Sequence, residues 1–235
     1  MKLSGKQQKV LNVPVTILVI AVMLLIITVP FILTTFNLQF YANQYEKNNV
    51  YDEIGKNNAL LATFNIFSFF KCKTDCTSLQ IPYEYHNQTF AFTENEISHM
   101  YDVKTTLMVW LWIFYFAVLL FLFFTFFFFF MHKRKKLLKE FFLLYAKILL
   151  RAGLYMLIFL IILLVLFLNF NFAFNLFHKL FFVSNWQFPA DSLLITLFPE
   201  SFFVAYVKNA LTLMCVFTGI ALVLGIIGNI FLKKR

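Results

Sequence analysis

Two histidines in this chain stand where they can do acid–base chemistry. His99 lies in FTENEISHMYDVK (92–104), just before a long apolar run. His178 lies in FHKLFFVSNWQFPADSLLITLFPESFF (177–203), just after another. On a helix, Asp102 three residues on and Glu96 three residues back both come beside His99. A carboxylate that accepts from one ring nitrogen fixes the tautomer and raises the basicity of the other. Asn171, Asn175 and His178 recur at i, i+4 and i+7, so a helix continuing from the preceding apolar run gives them one polar stripe among phenylalanines. The alternation in NFNFAF also permits a strand. Taken singly, His99 suits a solvated turn that caps a helix, and His178 an interfacial anchor beside Lys179. Taken together, two imidazoles at one lipid–water boundary can carry acid–base chemistry on a lipid.

The other reactive side chains point elsewhere. His86 reads as the surface tip of a turn, and His132 belongs to a basic run. Cys72 and Cys76 (CKTDC) can pair locally or remain free thiols. Their spacing is weak as a redox motif and weak as half of a zinc site. Cys215, in the last apolar run, reads as packing. There is no G-x-S-x-G elbow, H-E-x-x-H pair or Gly-rich phosphate loop. Asp102 is three residues from His99, so the acyltransferase pattern of His, four residues, then Asp is also missing. The expectation is chemistry without a cofactor or a metal.

The elements that must position these histidines are membrane helices. Of 235 residues, 61% are hydrophobic and 13% charged, and 35 are Phe; mean hydropathy is +0.79. Crossing a bilayer takes about 20 apolar residues. Four stretches suffice: Val15–Phe36, Thr105–Met131, Ala152 to Asn171, and Asn209–Leu232, none with Asp, Glu, Lys or Arg. If the N-terminus is cytoplasmic, the inner segments 1–14, 132–151 and 233–235 hold 13 of the 20 Lys/Arg and one of the 11 acids. The positive-inside rule then puts both termini in the cytoplasm and both histidines outside. The net charge of +9 thus reads as topology and contact with anionic lipid headgroups, not nucleic-acid binding. The first span reads as a retained anchor, since its apolar part is long and no small-residue cleavage site follows.

The fold class expected is an α-helical integral membrane protein with four transmembrane helices and a small extracytoplasmic α+β cap. The chain divides into a cytoplasmic N-terminus and first span (1–36), the cap (37–104), the second span (105–131) and a basic cytoplasmic loop (132–151). The third span (152–171), an outer loop (172–208) and the fourth span with a cytoplasmic C-terminus (209–235) follow. Within the cap, 58–71 has helical apolar spacing, and 78–92 alternates about His86-Asn87 as a short hairpin does. Thr93 and Glu96 fit a capping box. One helix from Glu94 to Met131 would be roughly 57 Å long at 1.5 Å per residue. The hydrocarbon core is about 30 Å, so the first turns, which carry His99, must stand above it. Pro199 suits the first position of a helix leading into the last span.

The two outer segments resemble the lipoprotein intramolecular transacylase (Lit) family. One resembling block holds His99, Met100, Asp102, Val103 and Lys104. The other holds Phe177, His178, Phe181, Phe182, Asn185, Trp186 and Asp191, then Pro199, Glu200, Phe202 and Phe203. Four spans with a cap between the first and second also match, while 37–91 matches only loosely. The resemblance implies an acyltransferase of the bacterial cell membrane whose partners are diacylglyceryl lipoproteins and membrane lipid. It would move the sn-2 acyl chain of the glyceryl group onto the α-amine of the lipid-bearing cysteine, giving a lyso-form lipoprotein. The family's two catalytic histidines map onto His99 and His178. The expected roles are His99, oriented by Asp102 and Glu96, as base and His178 as acid or oxyanion donor, with the reverse assignment open. Tyr101, Lys104, Phe181, Asn185, Trp186 and Asp191 are the expected pocket residues. A metal-dependent membrane lipid hydrolase and a non-catalytic lipopeptide-binding module are the alternatives. Nothing in the sequence sets an oligomeric state.

Overall fold

The structure, a computed structural model, describes residues 5–74, 76–134, 138–183 and 186–233. The described chain begins with helix α1 (Gly5–Thr35), followed by α2 (Leu38–Lys47), α3 (Val50–Ile54) and α4 (Lys56–Lys71). A 3-10 turn (Ser78–Gln80) leads to a hairpin of β1 (Tyr83–Tyr85) and β2 (Gln88–Phe90). Then come α5 (Glu94–Arg134), α6 (Leu138–Leu166), α7 (Phe170–Phe181), α8 (Leu193–Leu197) and α9 (Glu200–Lys233). Helices α1, α5, α6 and α9 hold stretches long and apolar enough to cross a membrane.

Two compact units share these helices. One comprises residues 1–31, 110–165 and 211–235. Its core joins Leu18, Val19 and Val22 of α1 to Phe128 of α5, Ile148, Ala152 and Met156 of α6 and Ala221 of α9. Gly225 lets α9 approach α6: a Cβ there would sit 2.6 Å from the backbone nitrogen of Leu150. The other unit comprises 32–109 and 166–210 and contains both candidate histidines.

Local chemistry explains the second unit's elements. Asn37 caps α2, its side chain accepting from Phe40 N at 3.2 Å. The hairpin turn is His86-Asn87, with φ of 49° and 62°; positive φ at both central residues is what a two-residue turn needs. Gly55 has φ 80°, and a Cβ there would meet the Tyr85 ring at 2.8 Å. Asn65 donates to Tyr83 Oη at 2.9 Å and so ties α4 to β1. Cys72 and Cys76, for which the sequence leaves two states open, are joined in a disulfide.

Two boundaries differ from the sequence reading, both of the third long helix. The third long helix starts at Leu138, inside the segment read as a basic loop, and ends at Leu166 rather than near Asn171. Leu138–Arg151 contains no glycine or proline to stop it, and its Lys and Glu residues are tolerated in a helix. The polar stripe does not continue that helix. Asn169 caps a separate one, its side chain accepting from Phe172 N at 3.0 Å. Helix α9 starts at Glu200, within one residue of the helix start expected at Pro199. In the first unit, Cys215 is exposed rather than packed.

Candidate active site

Helix α5 presents His99 within two turns of its own cap at Thr93. Thr93 donates from its backbone nitrogen (2.7 Å) and hydroxyl (2.8 Å) to Glu96 Oε2, while Glu96 N donates to Thr93 Oγ1 at 3.3 Å. This is a reciprocal capping box. The other carboxylate oxygen accepts from Leu194 N, at the start of α8, at 2.7 Å. Glu96 is fully buried. Its oxygens therefore bind Thr93 and Leu194, and the orienting role expected for it at His99 is replaced by a tie between the starts of α5 and α8. Three-residue spacing places two side chains on one helix face but does not say which way each one turns.

Helix α7 presents His178. Its Nδ1 lies 2.8 Å from the carbonyl oxygen of Phe174, one turn back. A carbonyl can only accept, so Nδ1 carries the proton and Nε2 is the bare nitrogen of the neutral ring. The two imidazoles are neighbours, with ring centroids 6.1 Å apart and planes within 15° of parallel. Atoms in face contact sit about 3.5–4 Å apart, so the rings lie side by side without stacking tightly.

Aromatic rings enclose the pair. Phe182 meets both rings in edge-to-face geometry, at 4.7 Å from His99 and 5.0 Å from His178. Phe174 lies 4.0 Å and Trp186 4.7 Å from His178, and Phe188 lies 5.5 Å from His99. Both histidines are 6% exposed. Burial, helped by the neighbouring His178 ring and opposed by Asp102, pushes the His99 imidazolium down to about 4. Burial also lowers His178, against the stabilising effect of its bond to Phe174. Neutral rings are thus favoured in both places. His99 Nδ1 is buried and has no hydrogen-bond partner among the described residues. Such an atom costs free energy unless a ligand completes it.

The remaining expected site residues divide. Asp102 lies close enough to oppose the lowering at His99, and its Oδ2 accepts from Val183 N at 3.1 Å, which holds the segment after α7. Trp186 is in the wall. Tyr101 turns away, its ring 4.9 Å from Phe69. Two residues of helix rotate a side chain by about 200°, so Tyr101 cannot share His99's direction. Lys104 donates to Cys72 O at 2.8 Å and lies 4.7 Å over the Phe69 ring. It braces the disulfide loop. Phe181 packs on Phe177 at 4.9 Å. Asp191 lines a cleft of about 440 Å³ that includes Phe188 but neither imidazole. Asn185 lies outside the described residues. Phe174, Phe182 and Phe188 were not expected as site residues. Phe174 and Phe182 are four residues either side of His178, the one spacing that could have found them. Among the described residues no three His, Cys, Asp or Glu side chains group as a metal ion would require.

A family model described as lipoprotein intramolecular transacylase Lit matches residues 16–203. No curated protein matches the sequence. Solved structures of the membrane integral lipoprotein intramolecular transacylase Lit from Bacillus cereus are similar in fold. One is 19% identical, with 97% of this chain and 98% of that chain covered and a TM-score of 0.76. A variant with a histidine replaced by arginine is 16% identical, with coverage of 98% and 97% and a TM-score of 0.71. A variant with a histidine replaced by alanine is 17% identical, with coverage of 97% and 96% and a TM-score of 0.71.

Proposed function

We propose a reaction for this site from one premise: the chain belongs to the lipoprotein intramolecular transacylase (Lit) family. It is an acyltransferase of a membrane. The acyl group moved is the sn-2 chain of a diacylglyceryl-modified cysteine, and the acceptor is that cysteine's α-amine. The product is an N-acylated, lyso-form lipoprotein. Both termini are cytoplasmic and the reaction is extracytoplasmic, on the strength of the Lys/Arg distribution. A fluorescent reporter that folds only in the cytoplasm should light up when fused after Arg235; a dark fusion would reverse the orientation.

Amine and ester belong to one molecule, so the ring of reacting atoms runs through nitrogen, two cysteine carbons, sulfur, two glyceryl carbons, the ester oxygen and the carbonyl carbon. Medium rings close poorly in a flexible chain. Holding that chain folded is the first contribution of the site, and positioning of this kind is worth several kcal/mol of barrier. The second is proton transfer. The amine must lose a proton as it attacks, and the departing glyceryl oxygen must gain one. His178 takes the amine proton on Nε2, the nitrogen left bare by the bond to Phe174. It returns that proton to the ester oxygen as the C–O bond breaks. His99 offers its unpartnered edge to the carbonyl oxygen, where charge develops in the tetrahedral intermediate. This is the reverse of the assignment favoured by sequence, and the His178–Phe174 bond is the reason. The Phe and Trp wall keeps out water that would otherwise hydrolyse the ester.

The observation that carries this reading is a pair of near-parallel buried imidazoles 6.1 Å apart. The test is a diacylglyceryl lipopeptide incubated with purified enzyme in lipid and read by mass spectrometry. Wild type should shift the acyl chain to nitrogen, and His99→Ala and His178→Ala should each lose that shift. Full activity in both variants ends the mechanism.

A further inference from the structure

We propose that the cleft beside the hairpin is a strand-addition site for the peptide that follows the lipid-bearing cysteine; this rests on the transacylase reading above. The register is Tyr83↔Phe90, Glu84↔Thr89 and Tyr85↔Gln88, antiparallel. Tyr85 and Gln88 flank the two-residue turn and so exchange hydrogen bonds. Alternation then makes Glu84 and Thr89 the non-hydrogen-bonded pair, with backbone N–H and C=O turned outward. On the β1 side that outward carbonyl is satisfied, because Asn58 Nδ2 donates to Glu84 O at 3.0 Å. On the β2 side the sheet simply ends. No described residue makes a backbone hydrogen bond to Thr89 across that edge.

The cleft lies along this edge. Thr89, Phe90 and Ala91 line it in succession, and Gln187, Phe188 and Asp191 also line it. A sheet face would contribute alternate residues, so the neighbours Thr89 and Phe90 of β2, followed by Ala91 just beyond it, mark the edge. Its volume of about 440 Å³ suits a short peptide segment. Phe188 belongs to this lining and also to the wall around His99, 5.5 Å from that ring. A substrate whose N-terminal amine reacts at the histidines must lead its chain away, and an extended chain advances about 3.3 Å per residue. Pairing through backbone groups reads no side chains. One edge therefore serves lipoproteins of different sequence.

The experiment compares diacylglyceryl-cysteine amide with lipopeptides extended by two, four and six residues. KM should fall once the chain is long enough to reach Thr89, by about fivefold for each of that residue's two outward backbone bonds, and then level off, while kcat stays constant. N-methylation of alternate residues should split by phase: one set restores the high KM and the other has no effect. Equal KM for all lengths, or equal effects of both N-methyl phases, overturns the proposal. A photo-reactive residue placed third in the peptide should crosslink to 89–91 or 187–193 in His178→Ala enzyme as well. Crosslinking without turnover of any substrate by wild type would sink the transacylase reading and leave the peptide site standing. Turnover with crosslinks only elsewhere would do the reverse.

Discussion

Among the described residues, ten polar or charged side chains are buried, and only Thr28 and Thr218 fall in the unit formed by 1–31, 110–165 and 211–235. The other eight, including Glu96, His99 and His178, fall in the unit formed by 32–109 and 166–210. The first unit is a helix assembly held by aliphatic and phenylalanine packing, in which many residues of similar volume would serve. In the second, Glu96, Asn65, Thr63 and His178 each have a named hydrogen-bond partner. His99 Nδ1 is the contrast within that unit, buried without one. On the proposed reaction, His99 Nδ1 is the atom that substrate completes; Thr218 Oγ1, in the first unit, is also buried without a partner among the described residues.

The largest test of that contrast replaces one ring in each unit. His99→Ala should lower N-acylation at least a hundredfold, the range of a lost proton-transfer group or oxyanion donor. Phe123→Leu, at a ring 61% exposed on the apolar part of α5, should leave turnover within about twofold, as surface changes usually do. Comparable losses from the two would show that the second unit has no special claim on the reaction.

The same contrast governs what could be read from sequence. The four apolar runs were legible because lipid demands a continuous stretch, and α1, α5, α6 and α9 carry them. The Thr93–Glu96 box and the His86-Asn87 turn were legible because their partners are three residues apart or fewer. The Glu96–Leu194 bond spans 98 residues, and no local rule predicts it. Tyr101 and Lys104 sit close to His99 in sequence but point elsewhere, since helix phase, not proximity, sets direction. The break before α7 rests on one asparagine cap within an apolar stretch. The His178 tautomer needed the position of a single carbonyl.

Next in size is Glu96. Glu96→Ala strands Leu194 N and removes the acceptor of Thr93 N and Thr93 Oγ1, three lost bonds to one carboxylate, at about 3–5 kcal/mol. Glu96→Gln can keep one acceptor oxygen and should lose about half as much. Thermal unfolding in detergent checks both; equal Tm for wild type and Glu96→Ala would remove Glu96 from the frame of the site.

The helix assembly has its own weak point. Gly225→Ala would place a Cβ 2.6 Å from Leu150 N and 2.8 Å from its Cα, which only helix separation relieves. Gly153→Ala would meet the flexible tip of Leu222 at 2.7 Å. We expect about 1–3 kcal/mol for the first and less for the second, with kcat retained in both once folded. A larger loss from Gly153→Ala would reverse the reading of which contact is rigid.

A still smaller effect appears only in acid. The folded pKa of His99, about 4, lies below its ordinary 6.5. Between those values the unfolded chain binds a proton that the native state refuses, so stability is full above about 6.5 and declines as pH falls toward 4. The difference in Tm between wild type and His99→Gln should therefore change across that window and be flat above it. A flat difference throughout, or an imidazole NMR titration for His99 at 6.5 or higher, contradicts the burial argument.

The finest comparison uses one motif that occurs in both units. Tyr45 Oη lies 2.7 Å from Thr63 Oγ1, which donates to Ala59 O. Tyr145 Oη lies 2.6 Å from Thr125 Oγ1, which donates to Phe121 O. With each threonine proton engaged by the carbonyl one turn back, each tyrosine is the donor to threonine. Removing the phenol oxygen therefore leaves a spare acceptor lone pair rather than a stranded donor, and the cost is small in both places. Tyr45 is fully buried, so Tyr45→Phe should cost about 1 kcal/mol. Tyr145 is half-buried in the helix assembly, where side-chain hydrogen bonds average about 0.6 kcal/mol because the unfolded chain in lipid also finds partners. Tyr145→Phe should cost no more than that. If unfolding measurements give the two substitutions equal costs, the surroundings of the bond do not matter and the contrast between the units reduces to composition alone.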